Sequence, residues 1–312
     1  MLKLTLSAFA ASLLSLSLIP ELAQAQPARV FVAAQGLDSN PCTFALPCRT
    51  FQHAHGVVAA NGEIDVLDPA GYGALTITKS ISIQGHGFAG LAVTSGKGVT
   101  INAGSTDVVN LNGLLIDGIG LGLNGIVFNT GQWLTIENCV IRRFTGAGLM
   151  FSPSASSSLA VSSTQVANNG SYGIDVFPSG SGFVTAVFNR VEVTSNVDIG
   201  IAVNGAASTG TVNVTVTESI AAGISNGIGF GVSSLADHAP TTLMVFHSVA
   251  ANNNVGLFAG GTGAVLNLAH SMVTGNANGW FTGTGGVLQS YGDNYIDGNA
   301  SSQTAPPSIA KK

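Results

Sequence analysis

An internal repeat of about 26 residues is the feature that most restricts the fold of this chain. From Trp133 onward, successive segments show alternating apolar residues, then a turn, then a glycine followed by an apolar residue. The aligned glycines recur at intervals of 23 to 29 residues, at Gly125, Gly148, Gly173, Gly200, Gly227, Gly256 and Gly279. Such a period indicates stacked units that bury their apolar faces only against one another. The chain is therefore predicted to be a solenoid.

Two apolar columns and one polar column follow this repeat. The residues after the glycines form the first, which comprises Ile126, Leu149, Ile174, Ile201, Ile228, Leu257 and Trp280. The second comprises Ile141, Val166, Val193, Ile220, Val249, Val273 and Ile296. Asparagine recurs three residues further on, at Asn169, Asn196, Asn252, Asn276 and Asn299, with Phe144 and Gly223 as interruptions. We expect the apolar columns to lie inside the stack and the asparagine amides to bond from coil to coil.

Composition distinguishes a β-solenoid from the leucine-rich repeat, which has a similar period. The leucine-rich repeat needs Leu-rich coils with a helical or tightly turned back. Here the columns are Val and Ile, the connecting residues are Gly, Ser and Thr, and only 8% of residues are charged. A parallel β-helix also tolerates a variable period, because extra residues loop out at a bend. The predicted fold is therefore all-β, a parallel β-helix of nine or ten coils.

The order of segments follows from this assignment. Residues 1–25 are predicted to be a signal peptide, with Lys3 before an apolar run and cleavage after Ala25. Residues 26–61 form an entry segment with a short capping helix around Arg49 to Ala60, which covers the open end of the stack. Residues 62–299 form the β-helix, and residues 300–312 are predicted to be a disordered tail.

The leader and the charge limit where the protein works and what it binds. A signal peptide predicts a secreted protein, periplasmic or extracellular, and no later segment is apolar for the length that a membrane span needs. The formal net charge of −5 argues against nucleic acid as a partner. The oligomeric state is left open.

The cysteines fit an oxidising compartment. Cys42 and Cys48 lie six residues apart in a segment whose two prolines favour a turn, and they are predicted to form a disulfide. Cys139 lies in a strand-like segment without an evident partner, and we expect it to be a buried free thiol.

The repeat and the entry region VFVAAQGLDSNPCTFALPCRTFQHAHGVV resemble the pectate-lyase-like superfamily of right-handed parallel β-helices, and bacterial secreted β-helix repeat proteins in particular. The resemblance covers residues 28–299 and implies a right-handed coil. The superfamily includes polysaccharide lyases, hydrolases, esterases, epimerases and binding modules, so the fold does not select a function. Gly85-His86-Gly87 is similar to a motif of polygalacturonate hydrolases, but the acidic motifs that accompany it there are absent, and His86 is predicted to be a turn residue.

When the successive repeats are aligned on their glycines, an alignment referred to below as the repeat frame, one group of ionisable residues comes together. The repeat frame places Glu218 and His247 in one column, one coil apart, with His270 beside that column on the following coil. Because adjacent coils are about 4.8 Å apart, an acid/base pair is physically feasible, and these three are the candidate catalytic residues. The alternative is a polar stack on the solvent face, since no close pair of carboxylates of the kind glycosidases use emerges.

Two further groups are candidates for binding. The coil between Gly227 and Gly256 is the longest, and its extra residues are predicted to lie in SSLADHAPTT. Asp237 and His238 would therefore protrude on a loop, where functional residues often lie. Phe128, Phe151 and Phe230 are placed in one column, and Phe258 and Phe281 in the next. Facing outward they would form a platform for sugar rings; facing inward, which the pattern favours, they would form a core ladder.

These observations favour a secreted, non-catalytic module that binds glycan or another macromolecule along one side face. The alternative is a polysaccharide lyase or glycoside hydrolase that acts on an extracellular polysaccharide through Glu218, His247 and His270. No metal site or cofactor is predicted, although a lyase of this fold would call for calcium.

Overall fold

The computed structural model describes residues 25–311, so the predicted signal peptide lies outside the described residues except for Ala25. Within this range the chain forms 28 strands and one short helix. That helix is too short to cross a membrane.

The first half of the chain contains the helix α1 (Phe51–Val57) and 14 strands. These strands are β1 (Arg29–Val32), β2 (Gly62–Val66), β3 (Ala70–Gly71), β4 (Leu75–Ile77), β5 (Ile81–Ala92), β6 (Lys97–Asn102), β7 (Val108–Asp117), β8 (Asn124–Thr130), β9 (Trp133–Glu137), β10 (Val140–Arg142), β11 (Leu149–Phe151), β12 (Ser157–Ser162), β13 (Gln165–Ala167) and β14 (Ile174–Val176). The second half continues with β15 (Val184–Asn189), β16 (Glu192–Thr194), β17 (Ile199–Asn204), β18 (Val212–Thr217), β19 (Ile220–Ala222), β20 (Ile228–Ser233), β21 (Thr241–Phe246), β22 (Val249–Ala251), β23 (Val255–Gly260), β24 (Ala264–Ala269), β25 (Met272–Thr274), β26 (Asn278–Thr282), β27 (Val287–Ser290) and β28 (Tyr295–Ile296).

The strands stack into a parallel β-helix, which confirms the predicted fold class. One sheet has nine strands, which run from β4 through β6, β8, β11, β14, β17, β20 and β23 to β26. The other 19 strands form a second sheet that bends around the opposite side of the solenoid. The pairings in both sheets are parallel and join each strand to its counterpart one coil away, as in β12 with β15 and β15 with β18.

Alternation along each strand places one set of side chains inside the coil. In β18 the three valines are buried and the intervening Asn213 and Thr215 are exposed. Stacked over all coils, these inward residues form one continuous apolar core. Each fully buried aliphatic side chain contributes roughly 1.5 to 3 kcal/mol, so the core ladder dominates stability.

The first predicted apolar column is correct except at one coil. Ile126, Leu149, Ile174, Ile201 and Leu257 are fully buried. Trp280 pairs with Leu257 and is half-buried. At the one other coil Ile201 pairs with Phe230, and Phe230 pairs with Leu257. Ile228 was expected at this position, but it faces outward and is only half-buried. The sequence contains two glycine–apolar pairs two residues apart, Gly227-Ile228 and Gly229-Phe230, and only the second is in register.

The second predicted column is shifted by one residue at two coils. Val193 pairs with Ala221, and Ala221 pairs with Ala250, so these alanines occupy the buried positions. Ile220 and Val249, which were predicted to be inside, face outward, and Ile220 is 38% exposed. A shift of one residue moves every side chain of a strand to the other face.

The asparagine column is a ladder of hydrogen bonds inside one bend. The amide of Asn169 donates to the side-chain oxygen of Asn196 at 2.9 Å, and Asn276 donates in the same way to Asn299. The predicted member Asn252 is exposed, and its neighbour Asn253 occupies the buried position. The expected bonding from coil to coil is therefore confirmed, with one member corrected.

The N-terminal end is covered as predicted. α1 begins after Thr50, whose hydroxyl accepts a hydrogen bond from the backbone N–H of His53, and the helix buries Phe51 and Ala54. Cys42 and Cys48 form the expected disulfide, and Cys139 is a buried free thiol. Strand β1 pairs in parallel with β2, so the stack begins within the segment expected only to lead into it.

The C-terminal segment was expected to be disordered, but it packs on the last coils. Ser308 bridges to Ser290, and the indole N–H of Trp280 donates to the carbonyl of Thr304 at 2.8 Å. The segment therefore satisfies polar groups of the terminal strands, which would otherwise form an unpaired edge.

Candidate functional site

The three candidate catalytic residues lie in one column at a bend of the nineteen-stranded sheet. Thr217 pairs with Phe246, and Phe246 pairs with Ala269, so the residues that follow them, Glu218, His247 and His270, are stacked. His270 thus lies in the column itself, whereas the repeat frame placed it beside the column. All three residues are exposed and have positive φ angles of 46° to 49°.

A serine ladder behind this column fixes the bend. The hydroxyl of Ser219 accepts a hydrogen bond from the backbone N–H of Val191 on the preceding coil, at 3.0 Å. Ser248 and Ser271 accept equivalent bonds at 3.1 Å. All three serines are buried. The left-handed conformation of the preceding residue is therefore set by buried polar groups rather than by the Glu or His side chains.

The imidazoles form an aromatic cluster with Phe246. The His247 ring stacks on the Phe246 ring with a centroid separation of 4.2 Å, and the His270 ring meets the edge of His247 at 5.0 Å. His270 Nε2 lies 3.1 Å from the carboxylate of Asp293. Hydrogen bonds from Lys311 and from the backbone N–H of His270 hold the pKa of Asp293 at about 2. The carboxylate next to His270 is therefore ionised.

The expected pairing of Glu218 with His247 does not form. Among residues 25–311 no hydrogen bond or ion pair involves the carboxylate of Glu218. The acid that contacts an imidazole of this column is Asp293, beside His270, and the sequence did not single it out. The column borders an open groove whose floor includes Ile220, Met272 and Tyr295.

Asp237 and His238 lie on a seven-residue loop between β20 and β21, and both are exposed. The preceding loop, residues 205–211 between β17 and β18, has the same length. The coil from Thr217 to Phe246 is one residue longer than the coil before it, and the extra residue lies in the turn 223–227. Asp237 and His238 are thus exposed, but the expected insertion in this loop is absent, and no further ionisable group pairs with Asp237 within the described part of the chain.

A second group of potential metal ligands lies at the N-terminal end. The ligand atoms of Cys42, Cys48 and His53 lie within 4.8 Å of one another. Both sulfurs belong to the disulfide, and metal binding by cysteine requires the thiolate. This group therefore offers one imidazole rather than a ligand set.

A partly enclosed pocket lies on the outer face of the nine-stranded sheet, and the sequence did not predict it. One outward column runs along this face through Met150, Asp175, Ala202, Gly231 and Phe258. Ala202 and Gly231 leave a depression between the longer side chains on either side. The resulting pocket has a volume of about 450 Å³, which is typical of sites for small ligands.

The walls of this pocket differ in polarity. Tyr172 and Ile199 border one side of the column, and Phe177, Asn204 and Ser233 border the other. Phe258 closes one end, and its ring stacks on that of Phe281 on the following coil with centroids 6.0 Å apart. Phe258 and Phe281 thus share a column as predicted, but they face outward. Phe128, Phe151 and Phe230 are core residues as predicted. Phe230 was expected in the column of Phe128 and Phe151, but it lies in the column of Ile201.

Asp175 is the ionisable residue at the floor of this pocket. It is 9% exposed, and burial raises the pKa of its carboxyl to about 6. No hydrogen bond or ion pair to this carboxyl exists among residues 25–311. The oxygens of this carboxyl are not sealed from solvent, so the group is available to accept a hydrogen bond from water or from a ligand in the pocket.

Fold and surface together define a parallel β-solenoid with a ligand-sized pocket on one sheet. The chain belongs to the right-handed β-helix family, whose model, described as "Right handed beta helix region", matches residues 48–220. No curated protein sequence matches the chain.

Solved structures with the same fold include enzymes that act on polysaccharides. Pectate lyase Pel9A is similar with a TM-score of 0.61 and 17% identity, over 91% of this chain and 78% of the lyase. The alginate lyase from Paenibacillus sp. str. FPU-7 gives a TM-score of 0.51 and 14% identity, over 83% of this chain and 99% of the lyase. The Azotobacter vinelandii mannuronan C-5 epimerase AlgE6 A-module gives 0.50 and 13%, over 80% and 89%. At such identities the similarity extends to the fold alone.

Proposed function

We propose that this protein is a non-catalytic module that binds a polysaccharide in the pocket on the nine-stranded sheet. The observation that carries the proposal is the composition of this pocket. Phe258 and Tyr172 are aromatic residues that line it, and Ala202 and Gly231 form its floor. The carboxyl of Asp175 lies in the pocket without a protein partner. Sugar rings combine apolar faces with hydroxyl groups. Sites that hold such ligands are mostly apolar and contain a few placed polar groups.

The comparisons add circumstantial support for a carbohydrate partner. Structures with this fold include a pectate lyase and an alginate lyase. The half-buried Phe258 and the exposed Phe281 extend the pocket along the solenoid, in the direction that a polymer would follow. We further propose that the protein is secreted, periplasmic or extracellular, since the Cys42–Cys48 disulfide suits an oxidising compartment.

A second candidate function is a polysaccharide lyase or glycoside hydrolase centred on Glu218, His247 and His270. The observation that favours it is the His270–Asp293 contact beside the His247 ring, because an ionised carboxylate orients an imidazole for proton transfer. Against it, Glu218 and both imidazoles are exposed, and the groove is open. General acid and base catalysis is strongest where water is excluded. If the chain were a lyase, calcium would be the cofactor to test.

Binding is tested with purified protein and immobilised polysaccharides, both neutral and acidic. The Phe258→Ala variant is expected to bind about tenfold more weakly, which corresponds to about 1.4 kcal/mol. Phe183→Ala is the matched control, because Phe183 is 51% exposed and lies outside the pocket. Equal retention of both variants, or no retention of the parent protein on any polysaccharide, would contradict the proposal.

Catalysis is tested on the same polysaccharides by assaying unsaturated products and reducing ends, with calcium and with a chelator. No turnover is expected. Turnover that disappears in both Glu218→Gln and His247→Ala, while the fold persists, would establish the second candidate instead. Turnover that survives both changes would exclude that site and overturn the non-catalytic function.

A further inference from the structure

We propose that the pocket takes an uncharged sugar unit, which hydrogen-bonds to the Asp175 carboxyl and stacks on Phe258, and that it rejects uronate units. This inference rests on the polysaccharide binding proposed above and assigns a substrate class to the same site. It separates this chain from its structural neighbours that act on pectate and alginate.

The first step concerns charge. None of the residues that line the pocket is Lys, Arg or His. They are Met150, Tyr172, Asp175 and Phe177, four residues of β17 (Ile199 and Ala202–Asn204), three residues of β20 (Gly231–Ser233) and Phe258 of β23. Burial raises the pKa of the Tyr172 hydroxyl, and the negative charges of Asp175 and Asp198 raise it further. The pocket therefore has a negative potential without a counter-charge. A uronate carboxylate placed there would lose its hydration and meet a like charge.

The second step concerns the unpaired carboxyl of Asp175. Since this group lacks a partner among the described residues, a ligand hydroxyl that reaches it supplies a hydrogen bond that the protein itself does not make. Hydrogen bonds to a charged acceptor are stronger than those between neutral groups. A ligand with several hydroxyl donors therefore fits the floor of the pocket, whereas an additional acceptor carboxylate does not.

The third step concerns the opposite wall. The side-chain oxygen of Asn204 accepts a hydrogen bond from the backbone N–H of Ala206 at 2.9 Å, which leaves the amide NH₂ of Asn204 for a ligand. Ser233 adds a hydroxyl on the same wall. These are uncharged groups that suit sugar hydroxyls. Ile199 and Phe258 provide apolar contacts for the ring face.

The fourth step concerns size. Asp175 and Phe258 lie three coils apart, through Ala202 and Gly231, which corresponds to about 14 Å along the solenoid. A pocket of about 450 Å³ over this length holds a short stretch of a sugar chain rather than an extended polymer. Specificity is therefore expected to depend on the few units between these two side chains.

The experiment is calorimetric titration of the full chain at pH 7 with two sets of probes. One set contains neutral β-linked gluco-, xylo-, manno- and galacto-oligosaccharides. The other contains galacturonate and alginate oligomers, each with calcium and with a chelator. We expect at least one neutral probe to bind, and every uronate probe to bind at least about tenfold more weakly than that probe. A uronate oligomer that binds as tightly as the best neutral probe, in either condition, overturns the inference.

Two variants locate the binding. Gly231→Leu fills the floor, where a Cβ would make only ordinary contacts of 3.5 Å or more with Ile228 and Ile199, so the fold is expected to persist. This variant should bind the neutral probe at least about tenfold more weakly than the parent protein does. Gly71→Leu is the control, because a Cβ there meets no atom within 4 Å. Neutral binding that survives Gly231→Leu overturns the inference and the proposed location of the site, whereas binding of a polysaccharide elsewhere on the protein would still stand.

A further variant tests the charge directly. Asp175→Asn keeps the size of the side chain but removes its negative charge, so uronate oligomers should bind it about tenfold more tightly than they bind the parent. Unchanged uronate affinity in this variant contradicts the electrostatic argument. If no saccharide of either set binds the parent protein, the proposed function itself fails, which is a different result from uronate binding.

Discussion

Asp175 pairs directly with Ala202 on the next coil, and both residues are on the outer face of the nine-stranded sheet. Because Ala202 ends at its Cβ, the carboxyl of Asp175 has no neighbouring side chain on that side of the column. The carboxyl is thereby largely shielded from bulk water without gaining a protein partner. This arrangement has a cost in stability that can be measured.

We expect Asp175→Asn to be more stable than the parent protein at pH 7, by up to about 3 kcal/mol. Burial raises the pKa of Asp175 to about 6, above the value of an unfolded chain. The folded state therefore holds this proton more tightly. The contribution of Asp175 to the free energy of unfolding is greatest below about pH 4 and is lost as the pH rises through about 6.

Urea unfolding between pH 4 and pH 8 measures this difference. The gap between variant and parent should widen as the pH increases. Asp198→Asn is the control, since Asp198 is exposed, and this change should have an effect within about 0.5 kcal/mol at each pH. A variant that is equal to the parent at pH 7, or less stable, would show that the carboxyl has a partner.

Substitutions at two isoleucines test which face is buried. Ile201→Asn is expected to cost about 4 kcal/mol, because it places an unpaired amide in a fully buried apolar ladder. Ile220→Asn is the matched change, and because Ile220 is 38% exposed it should cost less than about 1 kcal/mol. Thermal and urea unfolding measure both. Similar losses for the two variants would indicate that Ile220 lies inside.

The asparagine ladder is tested at two adjacent residues. Asn253 accepts a hydrogen bond from the backbone N–H of Ile224 at 3.1 Å and donates one to the carbonyl of Ala221 at 3.0 Å. Asn253→Ala leaves both buried groups unpaired, and we expect a loss of about 1 to 3 kcal/mol. Asn254 is exposed, so Asn254→Ala should be close to neutral in the same unfolding experiment. A larger loss of stability in Asn254→Ala than in Asn253→Ala would show that Asn253 is not the ladder residue.

Thiol alkylation followed by intact-mass measurement tests the cysteines. Burial raises the pKa of the Cys139 thiol to about 11, so the native protein should take up no label. Denaturation without reductant should expose one thiol, and reduction should expose three. Loss of the Cys42–Cys48 bond is expected to lower stability by about 2 kcal/mol, since its loop is short. Uptake of three labels without reductant would show that the bond is absent.

Much of the fold was predictable because the repeat has a clear signal. Alternation and the recurrence of Val and Ile at one position indicate stacked strands whatever the exact register. The errors occurred where two registers were equally apolar. The prediction placed Ile220 in the core, but Ala221 occupies that position. Ile224 fills part of the interior beside Ala221, since the side chains of Ile224 and Ala221 both approach Gly200. Packing volume, rather than hydrophobicity, decides such cases.

The pocket could not be predicted in the same way. Its shape depends on Ala202 and Gly231, and small residues carry no functional signal in a sequence. Asp175 resembles a solvated charge until its neighbours one coil away are known. A signal was nevertheless present, since an exact alignment of the outward column would have placed Asp175, Ala202, Gly231 and Phe258 in line. Glu218 and His247 were more conspicuous because histidine is rare here, with 6 in the chain.

The small outward residues at Ala202 and Gly231 have a consequence for how such surfaces change. The depression exists because two coils carry a small residue in the outward column, between coils that carry long side chains there. Its position therefore depends only on which coils have Ala or Gly in that column. Deleting one complete coil would shorten the cavity by about 4.8 Å and bring its ends closer, without disturbing the core ladders above and below. Duplicating one would lengthen it by the same step. The length of the bound sugar segment is thus a quantity that can change in whole coils, independently of the chemistry at either end.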